Sequence, residues 1–356
     1  MNFVKSAICV FAVFAFTARA HAVTLYASTA AGASGELYKL DSTTGTVIQD
    51  IGPLNGDSSV NYPMTGLAFD PVTGILWGST GNSPASTAAL LVTIDPATGF
   101  VTEVGSFNTG YFSSGGTPAT MGDIAFDAAG NLYGIGTIGG AHLYSINKST
   151  GQATQIGNSG FTATGGGGIA IGPTGTIYGT PRSSMFGTYN LTTGVYTNIS
   201  DPAKPAGTGA YTALDFNGGV LYGLNTGPSS PPPTHIVTID TTTGIVTDIG
   251  SSLNSLDAIA FQPGPAGIVG DYNKNGVVDA ADYVVYRKNV GTSNILPNDP
   301  TGGTIGPVQY NQWRSHFDMS SGAGLGAGAV PEPSSFVLLA SCMALQTFGR
   351  RCRRLE

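Results

Sequence analysis

A four-part unit recurs along this chain, and its recurrence limits the fold more than any other feature. One copy reads Gly66-Leu-Ala-Phe-Asp70, Thr73-Gly-Ile-Leu-Trp-Gly78, Leu91-Val-Thr-Ile-Asp95, Thr98-Gly99 and Val101-Thr-Glu-Val-Gly105. The first element returns as Asp123-Ile-Ala-Phe-Asp127, Gly168-Ile-Ala-Ile171, Ala213-Leu-Asp-Phe216 and Ala258-Ile-Ala-Phe261. The second returns as Leu132-Tyr-Gly134, Ile177-Tyr-Gly179 and Leu221-Tyr-Gly223, and the later elements return around the Thr-Gly pairs ending at Gly45, Gly151, Gly194 and Gly244. Each unit thus holds four short alternating runs between tight turns, the pattern of an antiparallel meander with one apolar face. A lone four-stranded sheet cannot bury both faces, so the sheets must stack, and radial closure gives a β-propeller. An open β-solenoid is the other way to stack them.

The ragged ends of the repeat favour closure. The first copy begins with Thr24-Leu-Tyr-Ala27, a second-strand element without a first strand. The last copy ends with Ala258-Ile-Ala-Phe261, a first strand without a second. Pairing the two in one blade closes the ring and removes the open edge. Phe69, Phe126, Ile171, Phe216 and Phe261 count five blades; six or seven would need further strands in the irregular stretches 54–63 and 106–120. The aromatic residues of the repeats read as inter-sheet core. Asp41, Asp95 and Asp240, each ahead of a Thr-Gly pair, read as turn formers.

Both ends of the chain carry addresses. Lys5, the apolar run Ala7 to Phe16 and the small-x-small triplet Ala20-His21-Ala22 read as a signal peptide over residues 1–22. At the other end, Val330-Pro331-Glu332-Pro333 leads through the mostly apolar Phe336 to Gly349 into Arg350-Arg351-Cys352-Arg353-Arg354. An apolar segment followed by arginines holds its positive end in the cytoplasm. This tail, residues 330–356, resembles the PEP-CTERM sorting signal handled by exosortase in Gram-negative bacteria. The resemblance implies an exported protein of the cell envelope, surface or extracellular matrix, held transiently in the membrane by its tail; a permanent C-terminal anchor is the alternative.

Composition agrees with export. The three cysteines, Cys9, Cys342 and Cys352, all fall in the two signals, which leaves residues 23–330 without thiol chemistry or a cysteine-ligated metal. The same span keeps 8 basic against 19 acidic side chains. Nucleic-acid binding needs basic stripes against phosphates, and none is present.

The strongest chemical motif follows the propeller span of 23–265. In the twelve residues from Asp271 to Asp282, oxygen donors stand at positions 1, 3, 5, 7, 9 and 12: Asp271, Asn273, Asn275, the Val277 carbonyl, Asp279 and Asp282. Gly276 occupies position six, where a calcium loop turns sharply, and Ca²⁺ takes six to eight such oxygens. A helix is expected from Tyr283 to Val290. The pattern resembles the dockerin loop, an EF-hand-like module over residues 266–320, joined by a Gly/Ala linker (321–329) to the tail. A shift of 27 residues maps Gly276, Val278 and Tyr283 onto Gly303, Ile305 and Tyr310, but the ligand positions become Asn298, Pro300, Gly302, Gly306 and Gln309. The second loop has lost most of its carboxylates. The resemblance implies Ca²⁺ in the first loop and docking to a cohesin-like partner, with Tyr286, Arg287, Trp313 and Arg314 as a candidate docking surface or, equally, as helix packing. An extracellular polysaccharide is the other expected partner.

No Gly-x-Ser-x-Gly elbow, His-Glu-x-x-His or phosphate-cradling loop occurs, and no catalytic residue stands out. His142 and His235 occupy matching places before third strands and read as repeat positions. Asp123 and Asp257, at the entry of first strands, are the candidates for a metal site in the central channel. The expectation is therefore a mainly β protein, a five-bladed propeller followed by a small helical calcium module, acting in binding or scaffolding. An exported carbohydrate- or lactone-active propeller enzyme is the alternative.

Overall fold

The computed structural model describes residues 24–319, apart from 31–33, 83–84, 109, 111–118, 162–166, 182–184, 264–267, 274–275, 295 and 300. The signal peptide, the linker, the sorting tail and Asn275 lie outside the described residues. The chain divides into two compact units, Met1–Ala266 and Gly267–Glu356.

Among the described residues the first unit holds twenty strands. β1 (Leu25–Thr29), β2 (Glu36–Leu40) and β3 (Val47–Pro53) come first, followed by β4 (Met64–Phe69), β5 (Leu76–Thr80), β6 (Leu90–Ile94) and β7 (Val101–Ser106). Next are β8 (Met121–Phe126), β9 (Leu132–Gly136), β10 (Leu143–Ile146) and β11 (Ala153–Ile156), then β12 (Ile169–Ile171), β13 (Ile177–Gly179), β14 (Phe186–Tyr189) and β15 (Tyr196–Ser200). β16 (Ala210–Asn217), β17 (Val220–Thr226), β18 (Thr234–Ile239) and β19 (Val246–Ser251) precede the last strand, β20 (Leu256–Phe261). They form five four-stranded antiparallel sheets, and β20 lies beside β1 with Leu25 opposite Phe261. The ring closes where the ragged ends of the repeat place it, with five blades. The stretch 54–63 adds no sixth sheet: its Asn61 side chain accepts from Gly35 N–H and donates to the Gly35 carbonyl, pinning a loop.

Burial falls from the axis outward, which explains the alternation. Inner strands are covered on both faces, as in β20, where five of six residues are buried, whereas the outer β3 and β19 have no fully buried residue. The core is five clusters, one between each pair of neighbouring blades. In four of them the second-strand aromatic of one blade meets the first-strand phenylalanine of the next: Tyr26 with Phe69, Trp77 with Phe126, Tyr178 with Phe216, and Tyr222 with Phe261 across the closure. Tyr133 and Ile171 share the fifth. These ring pairs, 4.7–6.3 Å between centroids, are the physical reason for the recurring Tyr-Gly and Phe.

The Thr-Gly turn has a similar explanation. In each outer hairpin an Asp or Asn carboxyl or amide oxygen accepts from the amide two residues on, as in Asp41–Thr43, Asp95–Ala97, Asn147–Ser149, Asn190–Thr192 and Asp240–Thr242. The glycine then closes the turn in the left-handed region, with φ of +75° at Gly99 and +76° at Gly151. Those glycines also abut the outer strand of the preceding blade: a Cβ at Gly99 would lie 3.0 Å from the Pro53 carbonyl oxygen, and one at Gly151 would strike the Gly105 backbone. Gly194, Gly244 and Gly45 meet Ile156, Ser200 and Gly250 in the same way, so the motif forms a seam around the ring. Gly151→Ala is expected to cost about 3 kcal/mol, from left-handed strain and a forced backbone shift. Gly74→Ala, at φ +72° with nothing within 4 Å of its Cβ, isolates the strain and should cost about 1 kcal/mol. Equal losses in thermal melts of the two variants would refute the seam.

The second unit contains α1 (Ala280–Asn289) and α2 (Pro307–Ser315) around a small core of Tyr272, Tyr286, Leu296 and Ile305. Helix α1 begins three residues earlier than the sequence pattern places it. Asp279 caps it by accepting from Ala281 N–H, and Asp282 accepts from Asp279 N–H in return, a reciprocal capping box. The 27-residue shift holds in space. Val278 exchanges backbone hydrogen bonds with Met319 and Asp318, and Ile305 does so with Thr292 and Gly291.

Candidate functional site

Pairing with the second strands fixes a common level for the inner strands around the axis. Phe69, Phe126, Ile171, Phe216 and Phe261 stand opposite Leu76, Leu132, Ile177, Leu221 and Leu25. By that register Asp123 is level with Gly66, Gly168, Ala213 and Ala258, whereas Asp257 is level with Thr65, Gly122, Gly167 and Thr212. The two aspartates therefore belong to different levels, and among the described residues no three His, Cys, Asp or Glu side chains group there as metal ligands.

Asp123 is wholly buried. Its carboxylate accepts from Ile124 N–H (2.9 Å) in its own blade, Ile169 N–H (3.0 Å) in the next and Leu214 N–H (3.1 Å) in the one after. The free edges of inner strands present such donors towards the axis, and unpaired buried amides are costly. A single carboxylate thus clasps three blades. Asp215, which the sequence reading missed, does the same for the other side of the ring: it accepts from Phe216 N–H (2.8 Å) and Phe261 N–H (2.6 Å). Its signal was readable, because that level carries alanine in the other four blades (Ala68, Ala125, Ala170, Ala260). Burial pushes the Asp123 carboxyl well above the usual range, and the three amides pull it only part of the way back. Burial pushes Asp215 up to about 7 against its two amides.

Asp257 is different in kind. It is half-buried at the end of the channel where inner strands begin, beside a cavity of about 460 Å³ lined by Thr208, Thr212, Thr226, Ser229, Ser230 and Asp257 among others. Burial raises its carboxyl to about 7, opposed by a hydrogen bond from the Thr212 side chain. The histidines do not join it. His142 is buried, with its Nδ1 2.9 Å from Ser159 Oγ, and His235 pairs with Asp248 at 3.0 Å on an outer hairpin.

In the second unit the loop from Asp271 turns at Gly276, whose φ is +83° and whose N–H donates to Asp271 Oδ2. Asp271 and Asp282 are buried, and Asp282 accepts from Asn273 N–H and Asp279 N–H. Among the described residues no cationic side chain forms an ion pair with Asp282. Burial, and then the neighbouring Asp271 and Asp279, push its carboxyl upward. A carboxylate buried beside others without a countercharge is a site that a cation suits. Asn273 and Val277 are exposed, Asp279 caps the helix through its Oδ1, and among the described residues no three His, Cys, Asp or Glu side chains converge as a metal group. Of the candidate docking residues, Tyr286 is buried and Trp313 half-buried in the module core, with the Trp313 indole N–H donating to the Asp279 carbonyl; Arg287 and Arg314 are exposed.

Five blades closed by β20 on β1, with carboxylates clasping the axis, define a β-propeller. The chain belongs to the family described as "Repeat of unknown function (DUF6923)", which matches residues 25–215, from the first strand into the fifth blade. No curated protein matches it in sequence. Among solved structures it is similar to a chain of a nidogen/laminin complex (12% identity, TM-score 0.45, covering 68% of this chain and 98% of that one). It is also similar to a protein of unknown function from Bacteroides thetaiotaomicron (15%, 0.39, 64% and 64%) and to virginiamycin B lyase from Staphylococcus aureus (13%, 0.34, 60% and 66%).

Proposed function

We propose that this chain is an exported binding or scaffolding protein of the envelope, surface or extracellular matrix, with the propeller as its interaction module. A calcium-folded, dockerin-like module attaches it to a cohesin-like partner or an extracellular polysaccharide, and the C-terminal tail is handled by exosortase-type machinery. The observation that carries the calcium reading is Asp282, wholly buried in a loop of hard oxygen donors with no countercharge among the described residues. Asp271, Asn273, Asn275, the Val277 carbonyl, Asp279 and Asp282 would hold the ion. Bound there, Ca²⁺ supplies positive charge to the carboxylates and fixes the loop against α1, a role a small core leaves open.

Calorimetric titration of residues 23–330 with Ca²⁺ is the test. One saturable site is expected, lost in Asp271→Ala and Asp282→Ala, with a change in Trp313 emission as the indole contact to Asp279 tightens. Absence of heat at millimolar Ca²⁺ would remove the attachment reading.

Asp257 supports a second reading, a carbohydrate- or lactone-active enzyme, because a carboxyl titrating near neutrality beside a cavity is suited to proton transfer. Turnover on a polysaccharide and lactone panel that Asp257→Asn abolishes would put that reading first.

A further inference from the structure

The two halves of the module treat the centre of their loops differently. In the first, position twelve is Asp282, and its oxygens accept from Asn273 N–H (2.9 Å) and Asp279 N–H (2.8 Å), so no donor of its own faces the loop. In the second, position twelve is Gln309, 1% exposed. Its Oε1 repeats the capping contact by accepting from Gly306 N–H at 2.8 Å. Its Nε2 turns into the loop and donates to Asp299 Oδ2 at 3.0 Å and to the Gly302 carbonyl at 3.3 Å. The other Asp299 oxygen is taken by Thr301 N–H at 2.9 Å, and the Gln312 side chain holds the Thr301 hydroxyl.

We propose that the Gln309 side-chain amide stands in for a cation in the second loop, so that this half of the module is closed without metal and calcium governs the first half alone. The residues do not fit an ion: the inward group is a hydrogen-bond donor, positions three and nine are Pro300 and Gly306, and the one nearby carboxylate is already satisfied. An amide that spans a carboxylate and a carbonyl replaces the attraction a metal would exert on them, without charge. The consequence is asymmetric. Helix α2, carrying Arg314, stays capped and formed in the absence of calcium, whereas the start of α1, ahead of Arg287, depends on it. The assignment of calcium to the first loop rests on the reading above; the closure of the second loop does not.

Amide hydrogen exchange of residues 23–330, with chelator and with Ca²⁺, separates the two. In chelator, Ile305 and Gly306 are expected to stay protected, while Gly276 and Asp279 exchange faster. Gln309→Glu sets a second carboxylate against Asp299, and in chelator it should speed exchange at Ile305 and Gly306 by roughly tenfold or more. The exchange pair Asp299→Asn with Gln309→Glu restores a donor facing an acceptor, and protection in chelator should return to within about twofold of the parent. The proposal is overturned if the parent loses protection at Ile305 and Gly306 in chelator, or if Gln309→Glu leaves them unchanged. Protection at Gly276 that ignores calcium would instead sink the first-loop reading and leave this one standing. If Gln309→Glu does not fold, the exchange pair and the parent alone still decide between the outcomes.

Discussion

Asp123→Ala is expected to lower the melting temperature of the propeller by roughly 10–20 °C. The substitution strands the N–H groups of Ile124, Ile169 and Leu214, contributed by three successive blades and bonded to this one carboxylate. A buried donor left without a partner costs about 1–3 kcal/mol, so three of them, with a small void, amount to about 5 kcal/mol. Asp123→Asn should fall between: its single carbonyl oxygen can keep two of the amides, but its NH2 then faces the third donor. The comparison that matters is with Asp50→Ala, an exposed outer-strand position, which should melt within about 2 °C of the parent. If Asp123→Ala melts with it, the axial clasp contributes nothing and the blades hold through their aromatic faces alone.

Between pH 5 and pH 8 the propeller is expected to lose stability as the pH rises, the reverse of the usual carboxylate effect. Asp215 and Asp257 titrate near 7 in the folded ring because burial disfavours their charge, and near 4 in the unfolded chain. The folded state therefore binds the extra protons. Their contribution is fully present below about pH 4 and disappears as the pH passes through 7. Three pKa units correspond to about 4 kcal/mol per group; allowing half for partial exposure leaves about 4 kcal/mol for the pair. Asp123, whose carboxyl burial also raises, acts in the same direction. Below pH 4 the sign reverses, because turn hydrogen bonds hold Asp41, Asp95 and Asp240 below the usual range, led by those from Thr43, Ala97 and Thr243. Melts at fixed calcium should show a maximum near pH 4–5, and Asp215→Asn should remove about half of the pair's share of the decline above it, about 2 kcal/mol. A melting temperature that is flat or rising from pH 5 to 8 would show that these carboxyls stay ionised in the ring.

The architecture was legible because its determinants are local and repeated. Phe69 and its counterparts, the Tyr-Gly elements and the Thr-Gly turns each carry their reason within a few residues, and the unmatched ends at Leu25 and Phe261 announced their own pairing. The axis was not legible. What Asp123 does depends on amides 46 and 91 residues away, and on a register one place different from that of Asp257. Burial cannot be read from the residue itself, so a clasp looked like a metal ligand. Asp215 was within reach, since it interrupts a column of alanines. In the second unit the loop spacing and the 27-residue shift were visible, as was the loss of carboxylates. The inward turn of the Gln309 amide needed coordinates, because a glutamine at position twelve reads from sequence only as an absence.

The pairing of β20 with β1 also sets an order of events. Leu25 and Phe261 are roughly 240 residues apart, whereas Ile146 and Ala153 meet across one turn. Bringing the distant pair together costs about 3 kcal/mol more in chain entropy than closing that hairpin. Blades two to five can assemble as their strands become available, but the first blade lacks its innermost strand until the last one arrives. The closing step is thus the slow, high-contact-order event, and until it occurs β1 offers an open edge at the centre of the molecule.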